Sequence, residues 1–218
     1  MNEFEKQWLK KLQNSLQKIG REDIYQTLRE NGENDDSGLR IKKLMQILEQ
    51  ELSPQQRQEV LCACACHSAK DNIEHIREDY VQNHDLKRAH ALYQKAFEKF
   101  IREYKNLTDE ELQYLINHQI GSAGILEGNV ITITKIPKEF SRFLQTKDEA
   151  EKPYLACHCP LVREMLKSEN KPLPLEYCCC AAGFCQDIWE YILQKPVKAE
   201  MVESVLSGGT ACKMKLYL

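Results

Sequence analysis

The sequence predicts an α+β protein in which an N-terminal helical bundle packs on a C-terminal α/β domain with a small antiparallel sheet. Three observations predict it. Apolar residues recur at helical spacing through the first half of the chain. Residues 129–136 (NVITITKI) alternate and are β-branched, ending at Pro137. Near the C-terminus, Val197, Ala199 and Met201, and then Cys212, Met214, Leu216 and Leu218, alternate with polar partners on either side of Ser207–Thr210. These place a helical region over 1–120 and an antiparallel-sheet α+β domain over 121–218.

In the helical region, Phe4, Trp8, Leu9, Leu12, Leu16 and Ile19 mark a first helix that Gly20 stops. A short helix follows around 22–29, then a polar turn over 33–38. Leu44, Ile47, Leu48 and Leu52 mark a third helix. Ser53 followed by Pro54 is a cap with proline at the first helical position, so a fourth helix runs from there into Cys62–Cys66. A weaker capping signal at Ser68 precedes a helix with Ile73, Ile76 and Tyr80. A long amphipathic helix carries Leu86 to Tyr104, and Thr108 with Glu111 forms a capping box for Leu112, Leu115 and Ile116.

In the second half, Gly121, Gly124 and Gly128 predict a loop before the first strand. The polar stretch 145–152 reads as a mobile loop and Tyr154–Cys157 as extended. Pro160 opens a short helix, Pro172 and Pro174 force extension, and 183–193 is a helix that Pro196 ends.

Composition narrows the function classes. A net charge of −3 supplies no basic field for nucleic acid. No segment approaches the roughly 18 consecutive apolar residues of a membrane span, and charges interrupt the N-terminal apolar run as they do not in a signal peptide. The expected address is the cytoplasm, where structural disulfides are rare. Neither composition nor pattern sets an oligomeric state.

The ten cysteines are therefore the chief functional signal. Seven of them form three C-x-C units: Cys62, Cys64 and Cys66; Cys157 and Cys159; Cys178 and Cys180. Clustered cysteines in a reducing compartment point to metal or redox chemistry. Each unit is expected just before a helix start, where free N–H groups and a partial positive charge favour thiolate over thiol. Thiolates are the ligands soft metals require. The expected cofactor is zinc, with an iron–sulfur cluster as the second reading, although C-x-C matches neither the C-x₂₋₄-C of zinc knuckles nor the usual cluster spacings. A c-type haem is set aside because Cys64 to His67 is one residue short of C-x-x-C-H and Cys62 to His67 one long. Free cysteine is also a common core residue. That reading is preferred for Cys185 and Cys212, and stands level with ligation for Cys179. His67 is a further ligand candidate. His158, between two cysteines, is expected to turn outward, and His75, His84, His90 and His118 are expected to be solvated.

The stretch Tyr177-Cys-Cys-Cys-Ala-Ala-Gly-Phe184, the helix after it, Pro196-Val-Lys-Ala-Glu-Met201 and Ser207-Gly-Gly-Thr-Ala-Cys-Lys-Met-Lys-Leu216 resemble the end of 4-vinyl reductase-like small-molecule-binding domains. They are also similar to the related aminothiazoline-carboxylate hydrolase-like proteins. The resemblance covers residues 154–218, and the N-terminal helices lie outside it. It implies a pocket between an antiparallel sheet and helices for a small hydrophobic or heterocyclic ligand. It also implies zinc held by Cys157, Cys159, Cys178 and Cys180. Three functions follow as alternatives: a metal-binding sensor or carrier with a small-molecule pocket, a hydrolase of a small amide or heterocycle using metal-bound water or a nucleophile such as Cys159, and a redox thiol protein using the 178–180 run.

Overall fold

Local capping chemistry sets most of the helix boundaries. The computed structural model describes residues 2–32, 35–66, 70–104, 107–167 and 173–218. Helix α1 (Glu3–Lys18) starts where the Asn2 side chain accepts from the Glu5 N–H, and it buries Trp8, Leu9, Leu12 and Leu16. Helix α2 (Glu22–Gly32) follows Gly20, whose φ of +72° suits glycine. Helix α3 (Ser37–Glu51) is capped by Asp36 and buries Ile41, Leu44, Met45 and Leu48. Arg40 of α3 and Glu5 of α1 form a buried ion pair, and the Ser37 hydroxyl donates to the second Glu5 oxygen at 2.8 Å. Helix α4 (Pro54–Cys62) begins in a full capping box of Ser53 and Gln56 with proline in the first turn. Helices α5 (Glu74–Asn83), α6 (Leu86–Tyr104) and α7 (Asp109–Asn117) complete the N-terminal region, α7 opening in the Thr108–Glu111 capping box.

The sheet has four strands in the order β1-β2-β4-β3, every neighbouring pair antiparallel: β1 (Gly121–Glu127), β2 (Val130–Thr134), β3 (Lys198–Glu203) and β4 (Lys213–Tyr217). Register places Ile131 opposite Leu216, Ile133 opposite Met214, Ala199 opposite Leu216 and Met201 opposite Met214. All six side chains are buried, so period-two alternation gives the sheet one apolar face.

Three elements differ from the sequence reading. The glycine-rich stretch before β2 is a strand, not a loop. Its glycines serve close contacts: an added Cβ would lie 2.1 Å from the Phe97 ring at Gly121 and 2.5 Å from the Thr132 carbonyl at Gly124, where the β1–β2 register shifts. The segment 140–156 forms two short helices, α8 (Phe140–Gln145) and α9 (Lys152–Ala156), so Tyr154 to Ala156 are helical, not extended. The helix expected from Pro160 is a 3₁₀ turn over Arg163–Lys167. The Ser68 cap, His67 and Pro172 lie outside the described residues.

Helix α10 (Cys179–Leu193) joins the two regions. It packs on β3 and β4 on one side and on α4 and α5 on the other. It is accordingly buried over more than one stripe: Cys179, Ala182, Gly183, Cys185, Ile188, Trp189, Ile192 and Leu193 are all inside. One continuous core runs from Trp8 to Leu216, with a satellite of Ile101, Leu112, Leu115 and Phe140. Helix α6 covers β1, with the Tyr93 hydroxyl donating to the Ser122 hydroxyl at 3.0 Å. On the outer edge of β3, the Gln58 side-chain amide donates to the Ala199 carbonyl.

The α10–α4 crossing is close because residue 183 lacks a side chain. An added Cβ would sit 2.1 Å from the Cys62 carbonyl oxygen and 3.0 Å from its Cα, both backbone atoms that cannot swing aside. Gly183→Ala is expected to lower stability by about 1–3 kcal/mol, read as a fall in the denaturant midpoint with unchanged slope.

The β3–β4 connection is held by one carboxylate. Glu203 accepts from the Thr210 N–H (2.6 Å), the Thr210 hydroxyl (2.9 Å) and the Ala211 N–H (3.0 Å), and pairs with Lys213 at 2.8 Å. Lys213 and these backbone donors lower its pKa to about 2 against the opposing effect of burial. Because the folded value lies below the unfolded one, this stability is fully present above about pH 4.3 and is lost as pH falls through about 2. Glu203→Gln is expected to cost about 1–2 kcal/mol at pH 7, with the gap to the parent closing in acid melts below pH 4.

Candidate functional site

The third cysteine group sits where a 3₁₀ turn (Leu175–Cys178) runs into α10. Pro174 enters it extended, and the ion pair of Arg57 with Glu176 (3.2 Å) ties it to α4. The turn drives the Tyr177 ring inside against Trp8, ring centroids 6.1 Å apart, leaving the tyrosine 1% exposed. Successive residues on a helix point about 100° apart, so the three adjacent thiols take different neighbours. The Cys178 thiol lies 2.9 Å from the buried Ser204 hydroxyl. Ionisation of Cys179 is disfavoured by the neighbouring Cys62 and by burial. Cys180 faces the charges of Cys159 and Cys66, and Cys64 in turn feels Cys180. The run is helical and not extended, so Cys178 and Cys180 do not share the one face that an extended C-x-C unit would give them.

The other two groups also sit at helix junctions: Cys62 where the fourth helix was expected to run into it, and Cys157 at a helix end where extended chain was expected. Cys62 ends α4, and Cys64 and Cys66 follow it, so this group lies at a helix C-terminus with its partial negative charge. Lys11 answers that charge by donating to the Ala65 carbonyl at 2.8 Å. Cys157 is the C-terminal cap of α9, and its thiol is buried beside Cys159 and Cys212. Cys159 is half-buried, with its sulfur 3.3 Å from the Tyr177 hydroxyl. Of the three groups, only 178–180 meets the N-terminus of a full α-helix.

Burial therefore dominates the thiol electrostatics. It raises Cys157, Cys180 and Cys185 to about 12, with Lys135 as the opposing positive charge in each case. It also raises Cys64 and Cys178, and it drives the Tyr177 phenol well above its ordinary range, with the Cys159 charge adding to the effect. Holding Cys157 near 12 rather than 9 disfavours its thiolate by about 4 kcal/mol. A helix terminus contributes only about 0.3–1 kcal/mol. Cys64, Cys157, Cys178, Cys180 and Cys185 therefore rest as thiols.

The structure thus brings Cys64, Cys66, Cys159 and Cys180 into one electrostatic neighbourhood, with Cys157, Cys178 and Cys212 adjoining it. Cys62 acts on Cys179, which in turn acts on Cys180. Among the described residues, no three His, Cys, Asp or Glu side chains are gathered closely enough to hold a metal ion. The donor chemistry suits a soft ion, and ligation requires the thiols to turn toward one another.

Other positions are plainly placed. His158 is exposed with its Nε2 2.8 Å from the Ile136 carbonyl, and Cys185 is a core residue. Cys212 directly precedes β4, where its carbonyl accepts from the Lys135 N–H at 2.9 Å, and it packs half-buried against the core, as expected. His90 is not solvated: it stacks on Trp189 and its Nε2 lies 3.0 Å from the Ala123 carbonyl. Sequence reading missed Tyr177 and Ser204. Adjacency to the cysteine run was a signal for Tyr177, whereas Ser204 reaches Cys178 only through the β3–β4 connection.

A groove of 1270 Å³ opens between α1, α4, α10 and the start of β3, with Lys11, Lys18, Cys62, Gly183, Asp187 and Lys198 among its walls. No helix among the described residues is long and apolar enough to cross a membrane. No family model matches the chain, and neither a curated protein nor a solved structure matches it.

Proposed function

We propose that the protein binds a zinc ion through thiolates gathered about Cys180, drawn from Cys157, Cys159, Cys178 and Cys180 with Cys64 and Cys66 completing the set, and serves as a sensor or carrier. The observation that carries this reading is the meeting of three chain-distant cysteine groups in one neighbourhood, running from buried Cys64, Cys157 and Cys178 through half-buried Cys159 and Cys180 to exposed Cys66, where neighbouring thiols disfavour one another's ionisation. Such a set ionises together only when a cation enters, so metal binding is coupled to proton release. Simple packing of small apolar residues gives no reason for sulfur to be concentrated there. In this reading residues 154–218 form the ligand-binding half, as in the 4-vinyl reductase-like domains they resemble, and the adjoining groove is where a small molecule would lie.

The hydrolase reading draws less support. The recorded neighbour of Cys159 is a phenol whose pKa is raised well above 10, which is no general base at neutral pH.

Anaerobically reduced protein titrated with zinc in weak buffer is expected to take up one equivalent and to release protons at pH 9 as well as at pH 6, since Cys157 and Cys180, raised to about 12, are protonated at both. Cobalt(II) should give thiolate charge-transfer absorption. Cys180→Ser is expected to weaken binding more than about tenfold, whereas Cys185→Ser leaves it unchanged. Absence of stoichiometric binding by fully reduced protein would remove the proposal. Visible bands after anaerobic iron and sulfide reconstitution, without zinc uptake, would replace zinc by an iron–sulfur cluster.

A further inference from the structure

The α1 wall of the groove carries positive charge that no carboxylate answers. Lys11, Ser15 and Lys18 all line the groove, and spacings of four and three residues stack them on one face of α1. Ser15 is only 7% exposed, yet its hydroxyl makes no hydrogen bond among the described residues. A buried helical serine ordinarily bonds the carbonyl one turn back or another polar neighbour. Lys11 is half-buried and spends one of its three donors on the Ala65 carbonyl at 2.8 Å, a neutral acceptor that also lines the groove. Neither Lys11 nor Lys18 forms an ion pair among the described residues. The carboxylates on the other walls are already engaged. Asp187 pairs with Lys70 at 2.5 Å, Glu190 accepts from the Gln186 amide at 3.0 Å and the Val197 N–H at 3.1 Å, and Glu59 accepts from the Gln55 amide at 3.0 Å. At 1270 Å³ the groove has room for a small organic molecule, for which sites of about 300–1,000 Å³ are usual.

We propose that Lys11, Ser15 and Lys18 form an anion subsite, and that the small molecule the groove takes is an organic anion whose carboxylate or phosphate group seats there. The Ser15 hydroxyl and the two remaining Lys11 donors supply hydrogen bonds to the anionic oxygens, and Lys18 adds a second positive charge one turn further on. Half-burial of Lys11 strengthens its pull on an anion relative to a lysine in open water. A neutral ligand would leave the Ser15 hydroxyl and the Lys11 charge as they are, so this wall selects an acid over its neutral analogue. The inference deepens the reading of the groove as a small-molecule site and rests on it, but it does not require zinc.

The test uses the full chain, reduced, stripped of metal by chelator and desalted. Succinate or inorganic phosphate is added at constant ionic strength while backbone amide shifts are followed by NMR. Saturable shifts are expected, centred on residues 11–18 of α1 and on Ala65, with chloride and the neutral succinamide giving none. Ser15→Ala removes a hydroxyl that the fold does not use, and Lys18→Met changes an exposed position. They are expected to weaken binding about tenfold and about threefold, without lowering the denaturant midpoint. Tighter binding of succinate assigns a carboxylate ligand and tighter binding of phosphate a phosphate ester, and either supports the proposal. Shifts centred elsewhere, or binding unchanged in both variants and so due to an adventitious ion only, would overturn it. An equal response to succinamide would leave the groove a ligand site but overturn the anion subsite. Zinc uptake measured on the same samples separates the two readings: protein that takes up zinc but neither anion counts against this proposal alone, and anion binding without zinc uptake counts only against the metal.

Discussion

The seating of Gly183 on the Cys62 carbonyl is the contact on which the rest of the structure depends. It joins residues far apart in the chain and sets how closely α10 approaches α4. That distance sets how α10, with Ile188, Trp189 and Ile192 buried along it, packs between α4 and the sheet. It also places the first turn of α10, with its run of three cysteines, beside the corner that follows α4. A methyl group at residue 183 would open this junction, and the thiols would separate along with the helices. The fold and the sulfur cluster thus rest on one glycine, for steric reasons and not for backbone freedom.

Two opposing effects act on the cysteines, and their sizes decide the outcome. Helix ends favour thiolate where an N-terminus is near, and among the three groups only 178–180 has one. Burial favours thiol at Cys64, Cys157, Cys178, Cys180 and Cys185 and is several times larger. The consequence is a reservoir of protonated sulfur inside the protein, quiet until a positive charge arrives. Lys135, the cation that opposes the effect at Cys157, Cys180 and Cys185, is too small an influence to reverse it.

The α+β class was legible because its strongest signals are local. Ser53 and Thr108 cap helices through side chains within three residues, and strand β2 follows from its own β-branched alternation. The first strand was hidden because Gly121 and Gly124 answer to Phe97 and to the neighbouring strand, partners that spacing does not reveal. The cysteine groups were visible as groups, and so was the end of α4 at Cys62, but the helix end at Cys157 was not, since a C-terminus beside cysteine carries no sequence mark as clear as a serine cap. The approach of Cys62 to Cys179 and of Cys178 to Ser204 depends wholly on tertiary packing, so nothing in the spacing announced it.

The sheet has a further property that follows from how its borders are finished. A four-stranded antiparallel sheet exposes two rows of backbone groups on which a strand from another molecule can grow. Here the Gln58 amide occupies an outward carbonyl of β3, and the irregular register at Gly124 together with the cover of α6 breaks the row on β1. An incoming strand would have to displace a side chain at one border and flatten a kink under a helix at the other. The chain can therefore carry an apolar sheet and ten reactive sulfurs without offering neighbouring molecules an easy seam along which to aggregate.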